Sequence, residues 1–482
     1  MDYVIVGNGI VANTIAFRLT RKITPQDTLT IIGRTARPGS ATLAAGAMLN
    51  SFAEIDAHSL QSDTDLYHFE LSHLATRMWP TFERELIDAA GEYLPSGCAK
   101  CEIQSGGGCF GLGTYIINNT AADDSDDNNF DAIVTALKNF NEQFDFVNPR
   151  DIPNYFPAQK SRATRALYIH NEGWLNPRLV MEKLDAILTN HPRVKVRDAT
   201  AERFFKSGSR VSTVQLDSGE MIEGDIFLLA CGASVSKVLV KSMLEIDVQP
   251  VFYGTGVSLE IMSEEFPHRN CVRTPNRGGA CGIYSVPYFW DPGTNNNHIL
   301  IGASNFISPT PVNFGRLGSI EHLMKSAIEE INGNFYKAEL IRTNVGWRPT
   351  TQDTFPLLGK TSIDNFIIAS GTKRDGFHLS PVISDYITRI LLNEPVDERF
   401  KCFAPERPLI RSLSREAAVE IIVSGLMSEQ YQHGYLPSNI RMNAQVRETY
   451  RQDIEKLHDR IGATDWGIPP EMVNMYRNGH AH

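Results

Sequence analysis

Three small residues near the start of the chain have the spacing of a phosphate-binding turn. Gly7, Gly9 and Ala12 form Gly-x-Gly-x-x-Ala and directly follow the apolar run Tyr3–Val6. The first glycine permits a tight turn, the second lets the backbone approach a pyrophosphate, and the small third residue allows close packing of helix on strand. The N-terminus of the following helix offers N–H groups and a positive dipole end to phosphate. The spacing therefore predicts a dinucleotide site, although it also occurs at plain turns.

The next predicted strand, Thr28–Ile32, departs from the dinucleotide-binding pattern. Such a strand usually ends in Asp or Glu, which binds the adenosine ribose. Here it ends in Gly33 and Arg34, and no carboxylate occurs from Leu29 to Asn50. Two interpretations stay open at this point. Backbone or water holds the ribose, or Arg34 recognises a 2′-phosphate as in NADP sites.

Two further stretches have compositions that suit close contact with a flat ligand. Small residues dominate Ser40–Leu49, which is also typical of a tightly packed helix start capped by Ser40. Farther along, the predicted strand Asn365–Ser370 stops at Gly371, shortly before an amphipathic helix. This arrangement again places helix N–H groups beside a glycine turn.

Cysteines and acidic residues give weaker signals. Cys98 and Cys101 form a CxxC with Cys109 close behind, but no second pair stands at a spacing suitable for zinc. We expect ordinary thiols on strands, with metal or redox chemistry as the alternative. The acidic run Asp123–Asn129 lacks the spaced ligands of a calcium loop and predicts a solvated surface insertion.

Around these residues, the pattern of apolar positions predicts alternating strands and helices and hence an α/β fold. Buried strands, typical of parallel sheets, are expected at the start of the chain and at Asp225–Ala233, which ends in small residues. The aromatic, strand-rich region from Val248 to Gly302 suits an antiparallel sheet that carries a substrate pocket. The predicted helices are Asp63–Ala90, Pro177–Leu188, one ending near Leu392, and, in a charged tail, Ser414–Leu426 and Asn439–Ile461.

Length and composition limit the protein class. A chain of 482 residues is too long to fold around a single hydrophobic core and suggests two or three domains. The net charge of −10 argues against nucleic acid or anionic membrane as the main partner. No apolar run is long enough to span a bilayer, and because the first strand starts at once we expect no signal peptide. With seven cysteines, we expect reduced thiols and a cytoplasmic protein.

Taken together, the motifs resemble those of the D-amino acid oxidase family of FAD-dependent oxidoreductases, most of all its glycine oxidase branch. Eight motifs stand in family order between residue 2 and about residue 395, and the tail lies outside the resemblance. They are Gly7-x-Gly9-x-x-Ala12, Ser40–Leu49, Gly173-Trp174-Leu175-Asn176-Pro177, Leu229-Ala230-Cys231-Gly232-Ala233, Tyr284-x-Val286-Pro287, Gly302-Ala303-Ser304, Gly346-x-Arg348-Pro349 and Gly371-x-x-Arg374-x-Gly376-x-x-Leu379-x-Pro381.

The resemblance implies a Rossmann-like FAD-binding domain interleaved with an antiparallel-sheet substrate domain, followed by a C-terminal helical extension. The FAD-binding domain is expected at residues 1–85, 160–247 and 343–400. The substrate domain is expected at 86–159 and 248–342, and the extension at 401–482. We expect the extension to cover part of the body or to mediate contacts in a homo-oligomer.

FAD has no 2′-phosphate, so the resemblance weighs against the NADP interpretation of Arg34. Some relatives attach the flavin through a cysteine shortly after the Arg-Pro motif, but Pro349–Gln352 contains none, which implies non-covalent FAD. The residues expected to bind FAD are Gly7, Gly9, Ile10, Val11, Ala12, Arg34, Ser40, Ala41, Thr42, Ala44, Ala45, Gly46, Ala47, Met48, Ala230, Cys231, Gly232, Arg348, Arg374, Asp375, Gly376, Phe377, His378 and Leu379.

The resemblance also implies a substrate carboxylate held by Arg348 and Tyr284, with Arg374 as a second arginine near the flavin. A guanidinium grips a carboxylate with two parallel hydrogen bonds, and a phenol adds a third. His378 is expected beside the flavin edge, where it could donate to the ring or titrate during turnover; the alternative is a surface or core histidine. Asn305 suggests a more polar pocket, which could accept a substrate larger than glycine.

The implied reaction is oxidation of a CH–NH bond of an amino acid or related amine. Hydride passes to the flavin, water hydrolyses the imine, and dioxygen or another acceptor takes the electrons. The alternative is oxidation of a CH–OH bond in a hydroxy acid or sugar-like metabolite. A third, less favoured hypothesis is a flavin-binding scaffold without turnover, which Gly33 in place of the usual acid keeps open.

Overall fold

A computed structural model describes residues 1–91, 93–94, 110–119, 124–263, 270–277, 282–288, 298–432 and 438–482, so Cys98, Cys101 and Cys109 lie outside it. The strands are β1 Asp2–Val6, β2 Thr28–Ile32, β3 Met48–Leu49, β4 Phe110–Asn118, β5 Phe144–Val147, β6 Arg165–Leu175, β7 Val194–Arg197, β8 Ala201–Ser207, β9 Arg210–Leu216, β10 Met221–Glu223, β11 Ile226–Leu229, β12 Val251–Met262, β13 Cys271–Arg273, β14 Tyr284–Pro287, β15 His298–Gly302, β16 Phe306–Ser308, β17 Glu339–Thr351, β18 Leu357–Lys360 and β19 Phe366–Ser370. The helices are α1 Ile10–Thr20, α2 Ala41–Ala44, α3 Asp63–Ala90, α4 Asp124–Asn139, α5 Pro177–Asn190, α6 Val235–Ser242, α7 Leu317–Ser326, α8 Ser380–Leu391, α9 Arg415–Gln432, α10 Ile440–Arg460 and α11 Val473–Arg477.

Among the described residues, the short apolar runs form one six-stranded sheet in the order β18-β19-β11-β1-β2-β7. The pairs from β19 to β7 are parallel, and β18 adds an antiparallel edge. Helices α1, α3 and α8 pack on one face, whereas α6 and the small β8–β10 sheet cover the other. Burial on both faces explains why these strands are uniformly apolar. The predicted α/β class is confirmed.

A second, ten-stranded sheet carries the aromatic region and is mostly antiparallel. Its longest ladder joins β12 to β17, and one parallel pair joins β13 to β4. Both β6 and β17 pair in this sheet, although the predicted domain limits give most of their residues to the FAD-binding domain. Those limits stay a prediction.

Helix α4 corrects the prediction of a solvated loop at Asp123–Asn129. The helix begins at Asp124, and the Asp126 side chain is fully buried rather than solvated. Asp126 accepts two hydrogen bonds from the guanidinium of Arg277, which also contacts Glu330. The prediction was wrong because the partner that stabilises this carboxylate lies 151 residues away.

The C-terminal extension packs on the rest of the chain as a helical layer. Helices α9 and α10, together with the segment around Trp466 and Met472, form an apolar cluster that includes Phe252 of β12. The extension has more buried structure than the two predicted helices, because the segment around Trp466 and Met472 belongs to this cluster. Within the described ranges, every helix is too short or too polar to cross a bilayer.

Candidate active site

The turn after β1 needs its first glycine. Gly7 has φ +134°, and a Cβ there would lie 2.2 Å from the carbonyl oxygen of Ala230 at the end of β11. After the turn, α1 begins at Ile10, whose N–H donates to the hydroxyl of Thr42 at 3.1 Å. The N-cap residue is Gly9, which has no side chain that could cap the helix. The helix therefore keeps N–H groups available for phosphate.

Asn8 occupies the space at the end of β2 where a ribose-binding acid was expected. A Cβ on Gly33 would lie 2.6 Å from Cγ of Asn8, so a side chain at position 33 and the present Asn8 exclude each other. The Asn8 amide donates to the Arg34 carbonyl at 2.8 Å, and Arg37 donates to the Asn8 carbonyl at 2.8 Å. Arg34 itself is ion-paired with Asp217. Asn8 and Arg37 are polar groups of this site that sequence reasoning missed.

A cavity of about 620 Å³ connects the carboxyl ends of β1, β2 and β11 with β14 and β17. Such a volume is typical of a cofactor or small-molecule site. All the predicted cofactor-binding and substrate-binding residues line it except two. Ala12 and Leu379 instead lie in the core beneath it and are essentially unexposed. The structure thus brings the other predicted residues, which are spread from Gly7 to His378, to one cavity.

Glycines position the two residues predicted to bind a carboxylate. Tyr284 on β14 pairs with Gly302 on β15, where a Cβ would lie 2.2 Å from the phenol oxygen. On β17, Arg348 faces Gly256, where a Cβ would lie 2.3 Å from Nη2 of the guanidinium. Nη1 of Arg348 donates to the Ser304 carbonyl at 3.0 Å. Both side chains are therefore held at the cavity wall by backbone that leaves room for them.

Three other cations near this wall have carboxylate partners. Arg273 donates to Glu54 at 2.5 Å, and Arg374 lies 3.9 Å from the other oxygen of Glu54. Arg374 and Lys373 both pair with Glu471. Glu54 lines the cavity and was missed, because an isolated glutamate between apolar residues gives no motif. Glu471 was missed because it lies in the tail, outside every recognised motif.

Burial opposes ionisation of both carboxylates, but their cations outweigh it. Arg273 and Arg374 hold the pKa of Glu54 below its usual value. Arg374 and Lys373 lower the pKa of Glu471 to about 2. Asp375, which lines the cavity beside His68, behaves in the opposite way: burial raises its pKa, and His68 at 3.7 Å only partly offsets this.

The ring of His378 contacts α3. Its Nε2 lies 2.7 Å from the hydroxyl of Thr76, its Nδ1 lies 3.4 Å from the hydroxyl of Ser72, and its carbonyl accepts from Trp79. Burial lowers the pKa of His378 to about 3. The two hydroxyl contacts and the burial of the ring favour the core-histidine alternative. A role of His378 beside the flavin stays a prediction.

Glu172 on β6 is a buried carboxyl that orders the chain before Glu54. It accepts from the backbone N–H groups of Phe52 at 2.5 Å and Ala53 at 3.3 Å, and from the hydroxyl of Ser51. Burial nevertheless raises its pKa to about 7. The folded protein thus binds this proton more tightly than the unfolded chain does, so this carboxyl destabilises the fold increasingly as the pH rises from about 4.5 to about 7.

We expect Glu172→Gln to remove this pH-dependent penalty, which is about 3 kcal/mol above pH 7. Melting curves at pH 5 to 8 should show the wild type losing stability relative to the variant as the pH rises. A fixed cost of placing an amide against the N–H of Ala53 changes the level but leaves the slope unaffected. The exposed Glu429→Gln should follow the wild type. Parallel curves for wild type and Glu172→Gln would refute the assignment.

The cavity fits the dinucleotide that the resemblance implies. The uncapped N-terminus of α1 suits a pyrophosphate, and Arg37 beside it is paired with both oxygens of Asp185. The small residues Ala44–Ala47 leave room for a flat ring, and a Cβ on Gly232 would meet no atom within 4 Å. Among the described residues, no cluster of side chains suits a metal ion.

Comparison with known proteins supports this cofactor. Residues 2–390 match the DAO family, described as FAD dependent oxidoreductase. The bifunctional protein ThiO/ThiG of Synechocystis sp. is 37% identical over 62 residues, 13% of this chain and about a tenth of that protein. Glycine oxidase from Geobacillus kaustophilus is 18% identical with a TM-score of 0.68, covering 85% of this chain and 99% of its own. Iminodiacetate oxidase (IdaA) from Chelativorans sp. BNC1 is 18% identical with a TM-score of 0.67, covering 84% and 100%. The chain therefore belongs to the DAO family of FAD-dependent oxidoreductases.

Proposed function

We propose that this enzyme oxidises the CH–NH bond of an amino acid or an N-substituted amino acid whose carboxylate binds Arg348. One observation carries the proposal. Arg348 lines the cavity, and no carboxylate of the described residues lies within ion-pair distance of it, whereas Arg273, Lys373 and Arg374 are all paired. A guanidinium kept at a cavity wall without a counter-ion suits an anionic ligand.

The two anchors suit a substrate that is held by its carboxylate. Nη1 of Arg348 is held by Ser304 and by Oδ1 of Asn305 at 3.1 Å, which fixes the plane of the guanidinium. Tyr284 is buried between Gly46 and Gly302. A ligand carboxylate that meets both side chains has its α-carbon placed within narrow limits, which is how positioning contributes to rate. FAD, when bound, supplies a hydride acceptor at N5 of its ring.

The structural neighbours fit this substrate class, because two of them are named as oxidases of glycine and iminodiacetate. Both names describe amines that carry a carboxylate. The finer features remain part of the proposal: water hydrolyses the imine product, FAD is non-covalent, and dioxygen reoxidises it. Location in the cytoplasm and self-association through residues 401–482 also stay predictions.

An anaerobic bleaching screen of the purified yellow protein tests the proposal. We expect glycine, sarcosine or larger amino acids to bleach the flavin absorbance, and matched amines without a carboxylate to require far higher concentrations. Bleaching by hydroxy acids but not by amino acids would assign the enzyme to CH–OH oxidation. A protein that takes up FAD but is bleached by neither class would favour a scaffold.

A further inference from the structure

Glu471, in the C-terminal extension, contacts the active site. It lies on the short 3-10 turn Pro470–Met472, and its side chain is only 7% exposed. It pairs with Lys373 at 2.9 Å and with Arg374, two residues that line the cavity. Its other oxygen accepts from Nδ2 of Asn305 at 3.1 Å. The extension lies beyond residues 2–390, the part matched by the family, so this contact is a feature of this chain.

The turn that carries Glu471 is firmly anchored. Met472 is fully buried in the cluster formed with Phe252, and Gln352 donates to the hydroxyl of Tyr476 at 3.1 Å. Asp353, next to Gln352, is ion-paired with Arg407 at the start of the extension. Apolar burial and polar contacts therefore hold Glu471 against the site wall at a fixed position.

Asn305 joins Glu471 to the proposed substrate anchor. Its amide donates to Glu471, and its carbonyl oxygen accepts from Arg348. Glu471 therefore occupies donors of two of the cations at the wall, while Arg348 receives only a neutral partner from the same network. Of these three basic residues, two share one carboxylate, and Arg348 has no carboxylate within ion-pair distance among the described residues.

We propose that Glu471 is a specificity-determining residue that occupies the donors of Lys373 and Arg374, so that the site selects substrates with one carboxylate and rejects dicarboxylates. This inference rests on the proposed function, since Arg348 is taken as the single carboxylate anchor. A second carboxylate near Lys373 and Arg374 would meet the fixed charge of Glu471. Repulsion between like charges placed together in an interface is a common source of specificity.

Binding of butyrate and succinate to the holoenzyme tests the proposal, because these acids have the same chain length and differ by one carboxylate. Dissociation constants come from the perturbation of the flavin absorbance, without turnover. We expect the wild type to prefer butyrate. In Glu471→Gln, the ratio of the succinate constant to the butyrate constant should fall at least tenfold. Glu471→Asp, which keeps the charge, should retain the wild-type preference.

The exposed Glu429→Gln on α9 is the matched control and should leave the ratio unchanged. A purely structural role would weaken both acids together in Glu471→Gln, and an unchanged ratio overturns the proposal. Arg348→Ala separates the two hypotheses. If it binds both acids as the wild type does, the proposed anchor is wrong, while the Glu471→Gln ratio still decides this inference. If the wild type binds neither acid, the anchor is again wrong, and binding of succinate must appear in Glu471→Gln for the inference to survive.

Discussion

Replacing Arg348 with alanine is expected to weaken binding of a carboxylate substrate by roughly 30-fold to several thousand-fold, which corresponds to about 2–5 kcal/mol. The loss is large because the guanidinium is the one cation at this wall without a carboxylate partner among the described residues. Its removal leaves the substrate carboxylate with Tyr284 alone. Anaerobic titration of the flavin absorbance with the best substrate of the bleaching screen gives the change directly.

Two variants distinguish loss of the anchor from loss of charge or fold. Arg348→Lys keeps a positive charge but cannot make two parallel hydrogen bonds, so we expect an intermediate loss. Arg342→Ala removes an exposed arginine from the same strand and should bind substrate as the wild type does. All three should retain FAD and melt near the wild-type temperature. Equal binding by Arg348→Ala and wild type would exclude Arg348 from the substrate site.

The features that the sequence predicted are those encoded locally. The strand β1, the turn at Gly7 and the helix α1 follow within twenty residues, and each part is determined by neighbours in the chain. The limits of α3 at Asp63 and Ala90 agree with its apolar spacing and with the capping box at Ser62. Some of the predicted site residues lie far apart in the chain. The prediction that they share one site came from the resemblance to the family, because local patterns do not indicate it.

The features that the sequence did not predict depend on partners distant in the chain. Position 33 holds glycine instead of the usual acid because the side chain of Asn8 fills the space beside it. Glu471 meets Arg374 across 97 residues, and no pattern in the tail indicates which of its carboxylates is buried. The His378 ring contacts Thr76 of α3, more than 300 residues earlier in the chain. Side-chain contacts of this range are fixed by packing, which local periodicity does not encode.

A buried charged network surrounds Arg277 outside the cavity. The guanidinium is only 3% exposed and contacts Asp126, Glu330 and the amide oxygen of Asn119. Burial would disfavour the charged guanidinium, but the two carboxylates reverse this and raise its pKa. The network joins α4 to the segment after β13 and to the turn Ala327–Ile331 that follows α7. A solvated loop was expected at Asp123–Asn129, but Asp126 of this run makes a buried structural contact instead.

Asp126→Ala is therefore expected to destabilise the protein by about 3–5 kcal/mol, because it leaves part of a buried positive charge uncompensated. For a chain of 482 residues this should appear as a melting temperature lower by roughly 3–5 °C. Asp131→Ala is the matched control on the same helix, since its carboxylate is 64% exposed and pairs with the partly exposed Arg165. An exposed pair of this kind contributes about 0–1 kcal/mol. Equal, small losses for the two variants would mean that Arg277 is satisfied without Asp126, and that burial of the acidic run contributes little to the fold.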